Sequence, residues 1–217
     1  MCGRYNLVTD AQALVDFFDV AMAIDPVFVP RYNIAPTQFV PIVRDQGRGR
    51  DLLNARWGLV PHWSREGETK YSTINARAET VAEKPTYRAS FRHRRCLVPA
   101  TGFYEWKAGD NGKQPYQITL AGGGLLAFAG LWDRWIGQEG ELFSFSIVVT
   151  AADASMQGLH ERMPVMLEPK DYSTWLTGSG DVVSSLLRPH GQNLELRPVS
   201  RYVNSPAHDD PRCLDPV

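Results

Sequence analysis

Cys2 directly follows Met1 in the opening run MCGRYN. Removal of the initiator methionine would leave a residue carrying a free α-amine and a thiol on adjacent carbons, a pair that no internal residue offers. An α-amine titrates at about 7.7–8.0 and a free thiol at about 8.5, so on sequence alone each keeps a usable deprotonated fraction near neutrality. The amine attacks an aldehyde and loses water to give an imine. The thiol then adds to the imine carbon and closes a five-membered thiazolidine, in which two bonds hold the captured carbon. A retained Met1 would turn the amine into an amide and abolish this chemistry. Position alone is thin support, since most chain ends are loose, and a reagent of this kind needs groups that move protons and hold it in register. Metal chemistry finds no pattern here. The five histidines, His62, His93, His160, His190 and His208, show no H-E-x-x-H spacing, and His160-Glu161 is followed by Arg162 rather than by a second ligand. No metal and no cofactor are expected.

The elements that would position such groups are mixed. Thr9 reads as the N-cap of a first helix, with Gln12 three residues on as in a capping box. Leu14, Val15, Phe17 and Phe18 would form its buried stripe. Pro26, Pro30 and Pro36 break the next stretch. Residues 38–44 and 52–60 read as strands around the turn-like QGRGR. Residues 75–95 look mostly helical, interrupted at Lys84-Pro85. From Arg95 onward, RCLVPA, GFYEW, QPYQITL, LLAFAGLW and ELFSFSIVVTA are short runs of β-branched and aromatic residues, several of them separated by the glycine-rich AGDNGKQ, AGGG and GQEGE. Two later helices are expected, one from near Pro169 and one over residues 181–187. The sum is an α+β fold: a single domain over residues 2–217 with a large, mainly antiparallel, curled or barrel-like β-sheet and flanking helices. Residues after about 205 read as a loose tail.

Bulk properties bound the function. A chain of 217 residues with 43% hydrophobic and 22% charged residues is long enough to bury a core and short enough for one domain. No apolar run is long enough to span a membrane, and the N-terminus has no apolar signal region. Cys2, Cys96 and Cys213 cannot pair completely and lack C-x-x-C spacing, which fits a reducing, cytoplasmic setting. The net charge of −1 gives no support for a polyanionic partner, but its distribution does. Lys84, Arg88, Arg92, Arg94 and Arg95 fall in one stretch free of acidic residues, whereas the tail carries Asp209, Asp210 and Asp215. A local basic face steers a polyanion even on a neutral protein, and a solvated helical face is the plain alternative.

Seven blocks give the chain a sharp resemblance. They are MCGRY at 1–5, RYNIAPTQ at 31–38, ARWGLVPHWS at 55–64, INARAET at 74–80, RRCLVPATGFYEWK at 94–107, AGLW at 129–132 and HERMPV at 160–165. Together they resemble the SRAP family, the SOS-response-associated peptidase domain, over nearly the whole chain. The resemblance implies a β-rich α+β fold, a preference for single-stranded DNA and Cys2 exposed by removal of Met1. It also implies capture of the ring-opened aldehyde of an abasic deoxyribose as a thiazolidine, in a setting of DNA damage and SOS response.

Side-chain chemistry and resemblance together assign the site. On a strand, Glu105 shares a face with Phe103 and Lys107 rather than with Tyr104 and Trp106. A carboxyl against an apolar wall favours its acid form, which suits general acid/base work on the sugar oxygen and the imine steps. The resemblance adds slow reversal of the crosslink, and the plain alternative is a strand glutamate paired with an arginine. His160 would shuttle protons near neutrality, or it is a satisfied structural histidine. Asn75 would hold the Cys2 amine or the sugar through its amide, or cap a helix before Ala76, or both. Arg4 and Arg77, and more weakly Arg162, are candidate phosphate clamps, with structural ion pairs as the alternative. Trp63 would stack on a base, while Trp106 and Trp132 read as core residues. Asn33 and Pro36 would shape the cleft wall. The expected partner is single-stranded DNA containing an abasic site, bound by a monomer without a membrane. Three readings compete with crosslinking by this enzyme: a cysteine peptidase or autopeptidase using Cys2 and His160, an abasic-site lyase acting by β-elimination, and a non-covalent single-strand binding module. A redox role is disfavoured because no close thiol pair is evident and Cys96 sits in an apolar strand.

Overall fold

Alternating apolar residues become strands along most of the chain. In this computed structural model the described residues are 2–23, 28–110, 112–138, 140–156, 158–189 and 193–217. Met1, the break expected at Pro26, His190, and the middle of the AGDNGKQ and GQEGE turns lie outside them. In chain order the elements are β1 (Tyr5–Leu7), α1 (Ala11–Phe18), β2 (Val20–Ala23), β3 (Arg31–Ile34), β4 (Phe39–Asp45), β5 (Arg50–Trp57), β6 (Asn75–Arg77), α2 (Arg88–His93) and β7 (Arg95–Ala100). There follow β8 (Gly102–Gly109), β9 (Gly112–Leu120), β10 (Leu126–Gly137), β11 (Gly140–Ala151), β12 (Arg162–Pro164), α3 (Tyr172–Thr177), α4 (Asp181–Ser184) and β13 (Leu194–Pro198).

Strands β5, β4, β7, β10 and β11 run side by side, and a short parallel pairing of Ser144 and Phe145 with Arg56 and Trp57 closes them into a five-stranded barrel. A second sheet, ordered β13-β9-β8-β1-β3, packs against it. The fold is thus α+β with a barrel. Aromatic edges join the two layers: Tyr5 meets Trp57 at 5.1 Å and Phe128 at 6.2 Å, and Phe103 meets Phe128 at 5.8 Å. Burying each such ring contributes about 1.5–3 kcal/mol. A β-carbon on Gly130 would lie 2.7 Å from Cys96 Sγ, so the close approach of β10 to β7 requires glycine in AGLW.

Strand β11 organises the functional end. Ile147 pairs with Gly130 of β10 and also with Asn75 of β6, so these partners lie on opposite edges of β11. Farther along, β12 joins it through Val149–Pro164 and Ala151–Arg162. Strands β6 and β12 therefore flank the C-terminal half of β11 and carry Asn75, Arg77 and Arg162 to one end of the molecule.

Four expectations are corrected. Residues 75–77 form strand rather than helix, because pairing with β11 overrides the helix-forming composition of ARAE. Only Arg88–His93 of the 75–95 stretch is α-helical. The N-cap of α1 is Asp10, whose carboxylate accepts from Ala13 N, and Gln12 donates to Asp16 instead of closing a box. Leu14 and Phe18 are buried, but Phe17 is exposed. Finally, residues 205–217 are not loose: Cys213 is fully buried in a second small core with Tyr104, Val199 and Val203.

Candidate active site

Strand β1 lies antiparallel to β8 with Tyr5 opposite Phe103, and Tyr104 N donates to Arg4 O at 2.9 Å. This register runs the segment before β1 alongside Glu105. The alternation along GFYEW holds. Phe103 faces the barrel core, while Tyr104 and Trp106 meet at 6.5 Å on the other face. Glu105, on the Phe103 face, is 4% exposed and Cys2 is fully buried.

Asn75 reaches this pair from the barrel side: its Nδ2 donates to Cys2 O at 2.8 Å, and Tyr87 Oη donates to Asn75 O at 3.0 Å. Tyr87 gave no signal in the sequence, and its role emerges only from the packing of the turn before α2. His160 stands just before β12, with Nε2 4.0 Å from Glu105 Oε2. Arg162 N donates to His160 Nδ1 at 2.9 Å. The Arg162 carbonyl also lies 3.2 Å from Nδ1, so Arg162 fixes the ring and turns Nε2 toward the Glu105 carboxyl. The four residues assigned to chemistry thus converge from the segment before β1, from β6 and β8, and from the turn before β12.

Electrostatics refine their roles. Burial raises the proton affinity of Glu105 above the ordinary carboxylate range, and a positive His160 opposes that shift. Burial also pushes the Cys2 thiol far up, with the Glu105 charge adding to the effect. The expectation of a usable thiolate at neutrality is therefore corrected: the buried thiol stays protonated until a base takes its proton. Cys96 and Cys213 are buried as well, and all three cysteines are free. Among the described residues no group of three or more His, Cys, Asp or Glu could hold a metal, and no helix is long and apolar enough to cross a membrane.

The arginines divide. Arg77 shares the face of β6 with Asn75 and is exposed, while Ala76 between them is buried. Arg162 is paired with Glu79 at 2.5 Å. Arg4 turns its guanidinium to the second core, where Nη1 donates to Asn33 Oδ1 at 2.7 Å and Val203 O at 3.0 Å, over the Trp106 ring. Asn33, expected on the cleft wall, is fully buried and serves as an internal tie. Pro36 is half-buried in the turn between β3 and β4.

Trp63 is 54% exposed, yet its loop is fixed on both sides. His62 N and Nδ1 each lie 3.0 Å from the buried Asp133 carboxylate, which Arg94 also contacts at 3.0 Å. On the other side, Trp135 Nε1 donates to Ser64 O at 2.8 Å. Two residues of β10 thereby bracket Trp63 and hold its ring out beside a hollow of about 580 Å³ that Tyr71 also lines. Asp133 and Trp135 carried no signal in the sequence, being about seventy residues from the loop they hold. Trp132 is buried as expected, whereas Trp106 is half-buried and donates to Asn204 Oδ1. A larger hollow of about 920 Å³, lined by α1, the Gly122–Gly124 turn and β13, shares no residue with the Cys2 cluster.

Known proteins match this chain over most or all of its length. The abasic site processing protein YoqW of Bacillus subtilis (strain 168) is 36% identical over 99% of each chain. YoaM of the same organism, bearing the same description, is 37% identical over 99% of this chain and 98% of its own. The abasic site processing protein HMCES of Gallus gallus is 31% identical over 87% of this chain and 66% of its own. A crystal structure of a protein from Bacteroides thetaiotaomicron superposes with a TM-score of 0.88 at 25% identity over the full length of both. One from Bordetella bronchiseptica gives 0.81 at 26% identity, covering 92% of this chain and 100% of that one. The family model for SOS response associated peptidase (SRAP) matches residues 1–206, so the chain belongs to that family.

Proposed function

We propose that this protein captures abasic sites in single-stranded DNA by closing a thiazolidine on Cys2. The observation that carries the reading is the Cys2 backbone held by Asn75 beside a buried Glu105 that His160 faces. The order of steps follows from the protonated thiol. With Met1 removed, the α-amine attacks C1′ of the ring-opened deoxyribose, and the carbinolamine loses one water to give an imine. Glu105, its proton affinity raised by burial, donates to the departing hydroxyl and becomes the base that takes the thiol proton. The sulfur then bonds to the imine carbon, and the nitrogen ends as a neutral secondary amine. His160 moves the proton of the hemiacetal hydroxyl to the ring oxygen as the sugar opens, and Arg77 grips the neighbouring phosphate.

Backbone contacts position a strand without reading sequence, which suits a lesion that has no base. A thiol pushed far up supports an amine-first reaction over a cysteine peptidase, which needs an activated thiolate. The test uses single-stranded DNA containing one abasic site, a denaturing gel, and intact mass before and after reaction. The expected product is a salt- and denaturant-resistant adduct on a chain lacking Met1. A Cys2→Ala protein that formed the same stable adduct would sink the mechanism.

A further inference from the structure

The family match ends at residue 206, and the polar segment that follows looks dispensable. Its contacts say otherwise. Strand β3 is the outer strand of the second sheet, and its register against β1 slips between Tyr5–Ile34 and Leu7–Arg31, so β3 carries one extra residue opposite the start of the chain. Such a bulge turns successive backbone N–H groups out of the ladder and leaves them without strand partners. Asp209 takes both: its Oδ1 accepts from Tyr32 N at 2.6 Å and Asn33 N at 2.8 Å, while its Oδ2 pairs with Arg31.

The segment then closes around the Asn33 side chain. Asn33 Nδ2 shares its two hydrogens among Val203 O, Ser205 O and His208 O at 3.0, 3.0 and 2.7 Å, and Cys213 Sγ donates to the same His208 carbonyl. Its remaining amide atom, Oδ1, accepts from Arg4 Nη1, and the second acceptor of that nitrogen is again Val203 O. Arg4 is two residues from Cys2, and its carbonyl accepts from Tyr104 N and lies 4.0 Å from Cys2 Sγ. A second route leads to the same strand, because Tyr104 Oη donates to Tyr32 O at 2.7 Å beside Glu105.

We infer that residues 203–213 form a clasp that sets the reacting geometry, with Asp209 and Asn33 as positioning residues acting through Arg4 on Cys2 and through Tyr32 and Tyr104 on Glu105. This rests on the aldehyde-capture reading above. The half-buried Arg4 guanidinium, with no carboxylate partner among the described residues, depends on the carbonyl and amide oxygens of Val203 and Asn33 that this segment holds in place. Loss of Asp209 frees the bulge and loosens Arg4, and with it the backbone on which the amine and thiol are mounted. Chemistry that needs amine, sulfur and carboxyl in one geometry suffers from small displacements, while DNA contacts at Arg77 and Trp63 are left intact.

The experiment is single-turnover capture by the mature full-length protein over a range of DNA concentrations. Asp209→Ala is expected to lower the saturating rate about tenfold or more, with the half-saturating concentration within about twofold of wild type. Asp209→Asn keeps an oxygen for the two amides and is expected to recover most of the rate. Capture of butanal, a small aldehyde with no phosphate, is expected to slow in parallel in Asp209→Ala. If Asp209→Ala gives no cooperative melt, Arg4→Lys carries the test. It keeps the charge, cannot span Asn33 Oδ1 and Val203 O together, and is expected to show the same fall. A wild-type saturating rate in Asp209→Ala or Arg4→Lys, or a change confined to half-saturation, would overturn the clasp. Wild-type protein that forms no adduct with abasic DNA would instead overturn the capture reading, before any variant is compared, and the clasp with it.

Discussion

Cys2 and Trp63 stand at opposite extremes of burial. The Cys2 cluster is sealed, with Cys2 fully buried and Glu105 4% exposed, so its charges are governed by desolvation and by one another. The Trp63 loop is open, with a ring 54% exposed and held from behind by Asp133 and Trp135. In the first region burial shifts the proton affinities of Cys2 and Glu105; in the second an apolar ring stands in water on a backbone fixed beneath it. The difference teaches a division of labour. Variants in the sealed cluster should change how fast a bound aldehyde reacts, and variants at the open loop should change how much DNA is bound.

The largest effect belongs to the sealed cluster. Glu105→Gln removes the carboxyl proposed to move protons while keeping shape, and the saturating rate of adduct formation is expected to fall about 10²–10⁴-fold with half-saturation little changed. The same variant reports on the buried charge. Because the folded-state proton affinity of Glu105 is raised, its effect on stability is fully favourable below the unfolded carboxylate range and is lost as pH rises through the raised value. Glu105→Gln should therefore melt no higher than wild type in acid, with its advantage growing as pH rises toward 7. Each kcal/mol corresponds to about 2–4 °C in a chain of this size. Equal melting differences at all pH values would mean that Glu105 has its ordinary affinity, and the comparison between sealed and open regions would lose its electrostatic half.

Legibility in the sequence follows the same divide between local and distant causes. The alternation in GFYEW placed Glu105 on the Phe103 face because strand period is a local property. The strands on either side of QGRGR and the helices after Pro169 and at Asp181 were readable for the same reason, although the second helix ends at Ser184 rather than at residue 187. Asn75–Arg77 was misread because its residues favour helix, while its strand comes from β11, more than seventy residues away. The tail was misread because a polar, proline-flanked composition looks unstructured, yet Asp209 and the backbone of Asn33 meet across 176 positions. Cys2, Asn75, Glu105 and His160 were singled out by motif resemblance and side-chain chemistry, and the fold brings them close together. Tyr87, which holds Asn75, and Asp133 and Trp135, which hold the Trp63 loop, belong to no local pattern.

The open region carries the smaller effects. Trp63→Ala removes a stacking surface worth about 1–3 kcal/mol, so half-saturation should rise by roughly tenfold while the saturating rate stays near wild type. A fall in saturating rate with unchanged half-saturation would place Trp63 in the chemistry and erase the contrast.

Asp133→Asn sharpens the comparison with the smallest change. The carboxylate accepts from His62 N and Arg134 N, lies 3.0 Å from both His62 Nδ1 and Arg94 Nε, and is only 2% exposed. The amide keeps one oxygen but presents a donor where the second acceptor stood, facing groups that themselves donate. The clip at His62 should then weaken by about 1–3 kcal/mol, part of it felt as lost order at Trp63. Half-saturation is expected to rise a few-fold, roughly half the Trp63→Ala effect on a logarithmic scale. In the Trp63→Ala background the same substitution should add little, because a loop with no ring to present has nothing left to position. Full additivity in that double variant would mean that Asp133 acts on DNA directly, through Arg94 or His62, and the loop would then be a second charged contact rather than a held ring.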